Sequence, residues 1–185
     1  APLANRFSAS QLRKWITAPK TPQTRIAFYG LMLGLSGTPA DAEFLRAEIN
    51  KPTETFRLGL DGMMGGYILL LKDEGLPLIE ARLSSQSTIT ESYAAMQALR
   101  FLWEYAPQCV GKDRLRQAMR TALDRPQLAE LAIIDLTRWE DWDSMPRLVE
   151  MFDSPAYSEK TTRRAVARYL ITLSSRKVAS GDELT

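Results

Sequence analysis

The chain contains no histidine and one cysteine among its 185 residues. Histidine is the side chain that titrates near neutrality, and it is the commonest general acid-base and metal ligand. Its absence excludes Ser-His and Cys-His nucleophile pairs. The lone Cys109 excludes an internal disulfide and any cysteine-rich structural zinc site. Only carboxylate pairs, Ser-Lys dyads or a borrowed cofactor remain as routes to enzymatic chemistry. Long apolar runs are also missing. The longest, Met63 to Leu71, holds two glycines and falls far short of the ~20 residues that span a bilayer. No stretch alternates apolar and polar residues for long enough to compete as a strand. The residues open without an initiator Met, and no signal-peptide pattern is expected among them. The start Ala-Pro-Leu-Ala suits equally a product whose export leader has been removed and an excised segment. The expectation drawn from it is an exported, periplasmic chain, with a cytoplasmic one nearly as compatible.

What is present is ordinary in amount and unusual in arrangement. Hydrophobic residues make up 45% and charged residues 25%, as in a soluble globular domain. Leu35, Leu71, Trp103, Trp139 and Leu173 each close an apolar helical stretch, at spacings of 36, 32, 36 and 34 residues. A turn signal follows the first four, and a shorter amphipathic segment follows each turn. A fixed period of this size marks stacked supersecondary units that cannot bury their apolar faces singly.

Helix starts are well marked. Ser8 to Gln11 and Thr88 to Glu91 have capping-box spacing. Thr21-Pro22 and Thr38-Pro39 place a hydroxyl cap before a proline. Asp124-Arg125-Pro126 and Ser144 with Pro146 open later helices. These signals predict about ten helices, over 8–17, 22–35, 39–50, 54–71, 75–84, 90–105, 111–123, 126–138, 144–152 and 159–173. In the second of these, Ile26, Tyr29, Leu31, Leu33 and Leu35 are expected to form a broad apolar face. Phe44, Leu45 and Ile49 align with Leu78, Ile79 and Leu83 at a spacing of 34 as core stripes. Gly30, Gly66 and Ala98 occupy matching positions where small residues let backbones approach.

The segments Thr162 to Leu173 and Thr24 to Leu35 resemble the first helix of a HEAT-type repeat. The resemblance implies an all-α, right-handed α-solenoid of four to five helical hairpins that binds other macromolecules, and it carries no catalytic residue. The expected organisation is a capping helix at 1–20 and a repeat domain at 21–173. The repeats would divide at 21–53, 54–87, 88–125, 126–158 and 159–173, with a polar tail at 174–185.

Candidate chemistry is sparse. Ser174 and Lys177 have Ser-x-x-Lys spacing, but the companion elements of serine acyl-enzymes are missing. Gly30-x-x-x-Gly34 and Gly62-x-x-x-Gly66 read as close packing between helices rather than membrane dimerisation. Cys109 lies in a turn, with Lys112 and Arg114 nearby, and reads as a plain thiol. In Trp139 to Asp143 an aromatic pair interleaves with acids. Trp139 is expected in the core, while Trp142, Asp141 and Asp143 form a candidate patch for a cationic peptide or a sugar. Asp135, Glu140, Asp141 and Asp143 lack the spacing of an EF-hand calcium loop.

Charge is distributed unevenly. Residues 1–40 carry five basic residues and no acid, and residues 160–177 carry six and no acid. Residues 130–159 carry eight acids against Arg138 and Arg147. The second helices of each pair carry mixed charge, with Arg46, Arg82, Arg116 and Arg120 as candidate partner contacts. The functional expectation is a non-enzymatic scaffold for a protein or peptide partner, without cofactor or metal. One alternative is nucleic-acid binding through Arg163, Arg164, Arg168 and the basic amino end. Another is a sugar- or peptide-binding or carboxylate enzyme site at Trp139 to Asp143.

Overall fold

A computed structural model describes residues 7–52, 57–84 and 86–180, with backbone alone for 177–180. Among these residues every regular element is helical. The chain divides into two compact units, Ala1–Ala118 and Met119–Thr185, and the boundary falls inside one helix. No helix among the described residues is long and apolar enough to cross a membrane.

The first unit holds α1 (Ala9–Thr17), α2 (Gln23–Ser36), α3 (Pro39–Ile49), α4 (Leu60–Leu71), α5 (Leu76–Leu83), α6 (Ile89–Tyr105) and most of α7 (Lys112–Arg120). The caps follow the sequence. Ser8 Oγ accepts the Gln11 amide at 3.3 Å, and Thr88 exchanges bonds with Glu91 in a full capping box. Thr38 does the same with Asp41 ahead of Pro39. Two boundaries differ from the sequence reading. Pro22, not Thr21, is the N-cap of α2. α4 begins at Leu60 rather than at 54, because Gly59 turns the chain at φ 89° immediately before it; positions 53–56 lie outside the described residues.

α4 packs on α2 to one side and on α6 to the other, while α3 packs on α4 and α5 on α6. The α2–α4 seam is made of glycine. A Cβ built on Gly62 would lie 2.4 Å from the Ala27 Cα, one on Gly34 would lie 2.5 Å from the Gly66 Cα, and one on Gly66 would lie 2.1 Å from the Gly30 carbonyl oxygen. Residue numbers rise together along both helices, so the two run parallel. Backbone meets backbone, which only small residues permit. The apolar face expected on α2 is therefore corrected. Gly30, Met32, Leu33 and Gly34 are buried, whereas Leu35 is exposed. From Tyr29 onward the expected set stepped by two residues, which a 3.6-residue period does not keep on one face, and of its members Leu33 is the buried one. The stripes on α3 and α5 do face the core, with Leu45, Ile49, Ile79 and Leu83 fully enclosed.

The second unit holds the end of α7, a 3₁₀ turn at Thr121–Asp124, α8 (Pro126–Arg138), α9 (Met145–Asp153) and α10 (Lys160–Ser180). α10 packs on α8 and α9. Leu128, Ile133, Leu136, Leu148 and Tyr169 form its core. The expected tail from 174 is helix as far as Ser180. Ser175 Oγ donates to the Ile171 carbonyl and Arg176 bonds Glu140, so a polar sequence is held in α10 by contacts that periodicity does not reveal.

Candidate functional site

The acidic segment after α8 takes its geometry from the helix end. Glu140 N–H donates to the Thr137 carbonyl at 3.2 Å and Asp141 N–H to the Leu136 carbonyl at 2.9 Å, with Glu140 at φ 57°. This closure usually places glycine in the left-handed position. It turns Asp141 beneath the helix end, where its side chain is 1% exposed. Arg120 reaches it from the last turn of α7, with Nε 2.9 Å from Oδ2 and Nη2 on Oδ1. The same Nη2 lies 3.2 Å from Asp143. Ser144 Oγ donates to Asp141 Oδ2, and the Tyr169 hydroxyl donates to the Asp141 backbone carbonyl.

Electrostatics follow from this enclosure. The bond to Asp141, more than the nearby charge, holds the Arg120 guanidinium above its usual pKa. Burial, and then the Asp141 charge, push the Tyr169 phenol well above its ordinary value. A buried acid that is satisfied by a bidentate arginine and a hydroxyl serves as an anchor. Asp141 was expected as an exposed partner contact and is instead enclosed. Trp139 is buried at 4% exposure, as expected. Trp142 is half-buried, with its ring edge-on to Tyr169 at 5.2 Å and the Arg176 guanidinium 5.9 Å from its centroid. Asp143 is exposed apart from its contact with Arg120. Among the described residues no three carboxylate or cysteine side chains converge to hold a metal ion.

The other expected arginine contacts have partners as well, those of Arg46 and Arg116 being exposed carboxylates. Arg46 pairs with Glu43, Arg82 bonds Asn50 and faces Glu91 at 3.6 Å, and Arg116 pairs with Asp113 at 2.7 Å. Arg116 also lies 5.5 Å from the Trp103 ring centroid, with Lys112 at 4.9 Å. With Arg120 on Asp141, each of the four has an internal partner. Ser174 and Lys177 lie on α10, and Cys109 is half-buried in the turn before α7.

Two surface depressions escaped the sequence reading. In the first unit, Phe7, Trp15, Arg25, Phe28 and Tyr29 line a shallow cleft of about 470 Å³, with the Trp15 and Tyr29 ring centroids 5.1 Å apart. In the second unit, α8 and α10 enclose a groove of about 400 Å³. Glu130, Ile134 and Arg138 line one wall, and Arg164, Arg168 and Ile171 line the other. The signal that could have found it is the repeat spacing, which sets residue 134 against 168 and residue 138 against 172. Compared with protein-family models, with curated proteins and with solved structures, the chain matches none.

Proposed function

We propose that this chain is a non-enzymatic interaction scaffold whose helical pairs stack, within each unit, as HEAT-like hairpins of a right-handed α-solenoid. The observation that carries this reading is the glycine seam, where α4 lies parallel to α2 at the sequence period with no side chain between the backbones. Contacts about one period apart accompany it. Arg82 bonds Asn50 across 32 residues, Arg114 bonds Glu80 across 34 at 2.9 Å, and the Tyr157 hydroxyl donates to the Leu123 carbonyl across 34 at 2.8 Å. Stacked units of this kind bury a continuous core and leave a long surface already in its final shape. A partner then binds without ordering the receptor, which lowers the entropic cost of association.

The test is retention from an extract of the source organism on the immobilised full chain at low salt, followed by a salt step and mass spectrometry. The expected result is one defined protein or a small set. Retention of nucleic acid alone, or of nothing, sinks the scaffold reading. Nucleic-acid retention with a steep salt dependence would replace it with the phosphate-binding alternative.

A further inference from the structure

The second unit has eight arginines, and five of them are engaged. Arg120 holds Asp141, Arg147 holds Asp124, and Arg176 holds Glu140. Arg163 lies 5.9 Å from the Phe152 ring centroid, and Arg125 is buried with a partner of its own. Arg138, Arg164 and Arg168 have no carboxylate or ring partner among the described residues, and all three are exposed. All three also line the same groove, between α8 and α10. Isolated unpaired arginines are normal on a surface, whereas all the unpaired ones of a unit meeting over one depression calls for an occupant of opposite charge. The apolar lining adds a second requirement. Ile134 and Ala165 belong to it, and Ile171 is 65% exposed beside the arginines.

We propose that this groove binds an acidic peptide segment of a partner protein, with an aliphatic side chain seated on Ile134 and Ile171 and carboxylates on Arg138, Arg164 and Arg168. The proposal rests on the scaffold reading and names its partner class. The α10 wall from Thr161 to Thr172 extends about 16 Å at the helical rise, room for roughly five extended residues. Glu130 lies at the start of the α8 wall, so the peptide residue nearest it carries no negative charge. Nucleic acid suits the groove less well. Single strands are gripped by aromatic faces on which bases stack, and none lines this groove. A phosphate track also wants a wholly basic lining, and Glu130 belongs to this one.

The probe is a fluorescein-labelled peptide, Glu-Glu-Leu-Asp-Asp, titrated with the full chain and followed by anisotropy at low salt. Its amide counterpart, Gln-Gln-Leu-Asn-Asn, and a labelled thymidine oligomer run alongside. Saturable binding of the acidic peptide alone is expected. Arg164→Glu and Arg168→Glu should each weaken it by roughly tenfold, and Ile171→Asp by a similar factor. Lys20→Glu, an equal charge change on the first unit, should leave it unaltered. All four positions are exposed, so the circular dichroism spectrum and Tm should hold and a binding loss is not an unfolding. No binding, equal binding of the amide peptide, or an equal loss in Lys20→Glu overturns the proposal. So does tighter binding of the oligomer that is lost in the same arginine variants. The extract experiment repeated with Arg138, Arg164 and Arg168 all changed to Glu separates the two readings. Protein retention undiminished by the triple change removes the groove and leaves the scaffold standing, while no retention by the unchanged chain removes the scaffold itself.

Discussion

Adding one methyl group at Gly66 should open the α2–α4 seam, whereas adding it at Gly65 should not. Both glycines lie inside α4, so each replacement by alanine gains about 1 kcal/mol of helix propensity. They differ in what the new methyl meets. At Gly65 its nearest neighbour is the Leu31 Cδ2 at 2.9 Å, the free end of a side chain that can rotate away. At Gly66 it is the Gly30 carbonyl oxygen at 2.1 Å, with the Gly30 carbonyl carbon at 2.8 Å. Backbone cannot yield locally, so relief requires the two helices to separate by about 1 Å along their whole contact. Dispersion contacts fade steeply over such a gap. Overpacking of this kind costs typically 1–3 kcal/mol and occasionally more, and a clash against backbone belongs at the upper end, roughly 3–4 kcal/mol. After the propensity gain, Gly66→Ala should lose about 2–3 kcal/mol and Gly65→Ala about 0–1. The check is urea and thermal unfolding by circular dichroism at 222 nm, fitted with separate transitions for the two units. A loss of this size in the first unit lowers its Tm by roughly 8–12 °C. If the two variants unfold within about 0.5 kcal/mol of each other, the close parallel seam is wrong, and the stacking inferred from it goes too.

Three further outcomes follow from the second unit. Asp141→Asn should cost about 2–4 kcal/mol in urea unfolding, because it strands the Arg120 guanidinium beside an enclosed amide; a loss below about 1 kcal/mol would mean that the anchor is not buried in solution. Tyr169 has its folded pKa raised above the ordinary value of 10.0, so the folded state holds the phenol proton more tightly than the unfolded state. Its contribution is complete below pH ~10 and is lost as pH rises through the folded value, so alkaline titration of stability should fall less steeply in Tyr169→Phe than in the unchanged chain. Glu140→Gly relieves a left-handed residue worth ~1–2 kcal/mol but removes an exposed pair with Arg176 worth ~0–1, so a net gain of about 0–2 kcal/mol is expected by thermal unfolding, and a net loss would assign the turn's stability to the ion pair.

Local chemistry made most helix limits legible. The Ser8, Thr38 and Thr88 caps stand where hydroxyl and carboxyl spacing placed them, since a cap is a contact between residues three apart. Gly59 hid the start of α4, because a left-handed glycine and an intrahelical one look alike in sequence. Ser144 opens α9 as expected, but its hydroxyl serves Asp141 instead of a backbone amide. The candidate arginines were harder to read. Whether Arg46, Arg82, Arg116 and Arg120 face solvent or an acid depends on which helices become neighbours, and charge counts say nothing about that. Arg164 and Arg168 were visible as part of a basic segment, while Arg138 sat within an acidic one. Only the offset between α8 and α10 places them over the same groove.

The bonds from Arg82 to Asn50, from Arg114 to Glu80 and from Tyr157 to Leu123 span 32, 34 and 34 residues. A donor and its acceptor are thus separated by nearly the same stretch of chain each time. Excision of the 34 residues from Glu80 to Asp113 would set Arg114 at the old separation from Arg46, a second cation, so the spacing would persist while the pairing would not. A change of half that length would leave donors facing the wrong helix. Each of these bonds therefore depends on the chemistry of its own pair of positions, and the shared separation alone does not carry it.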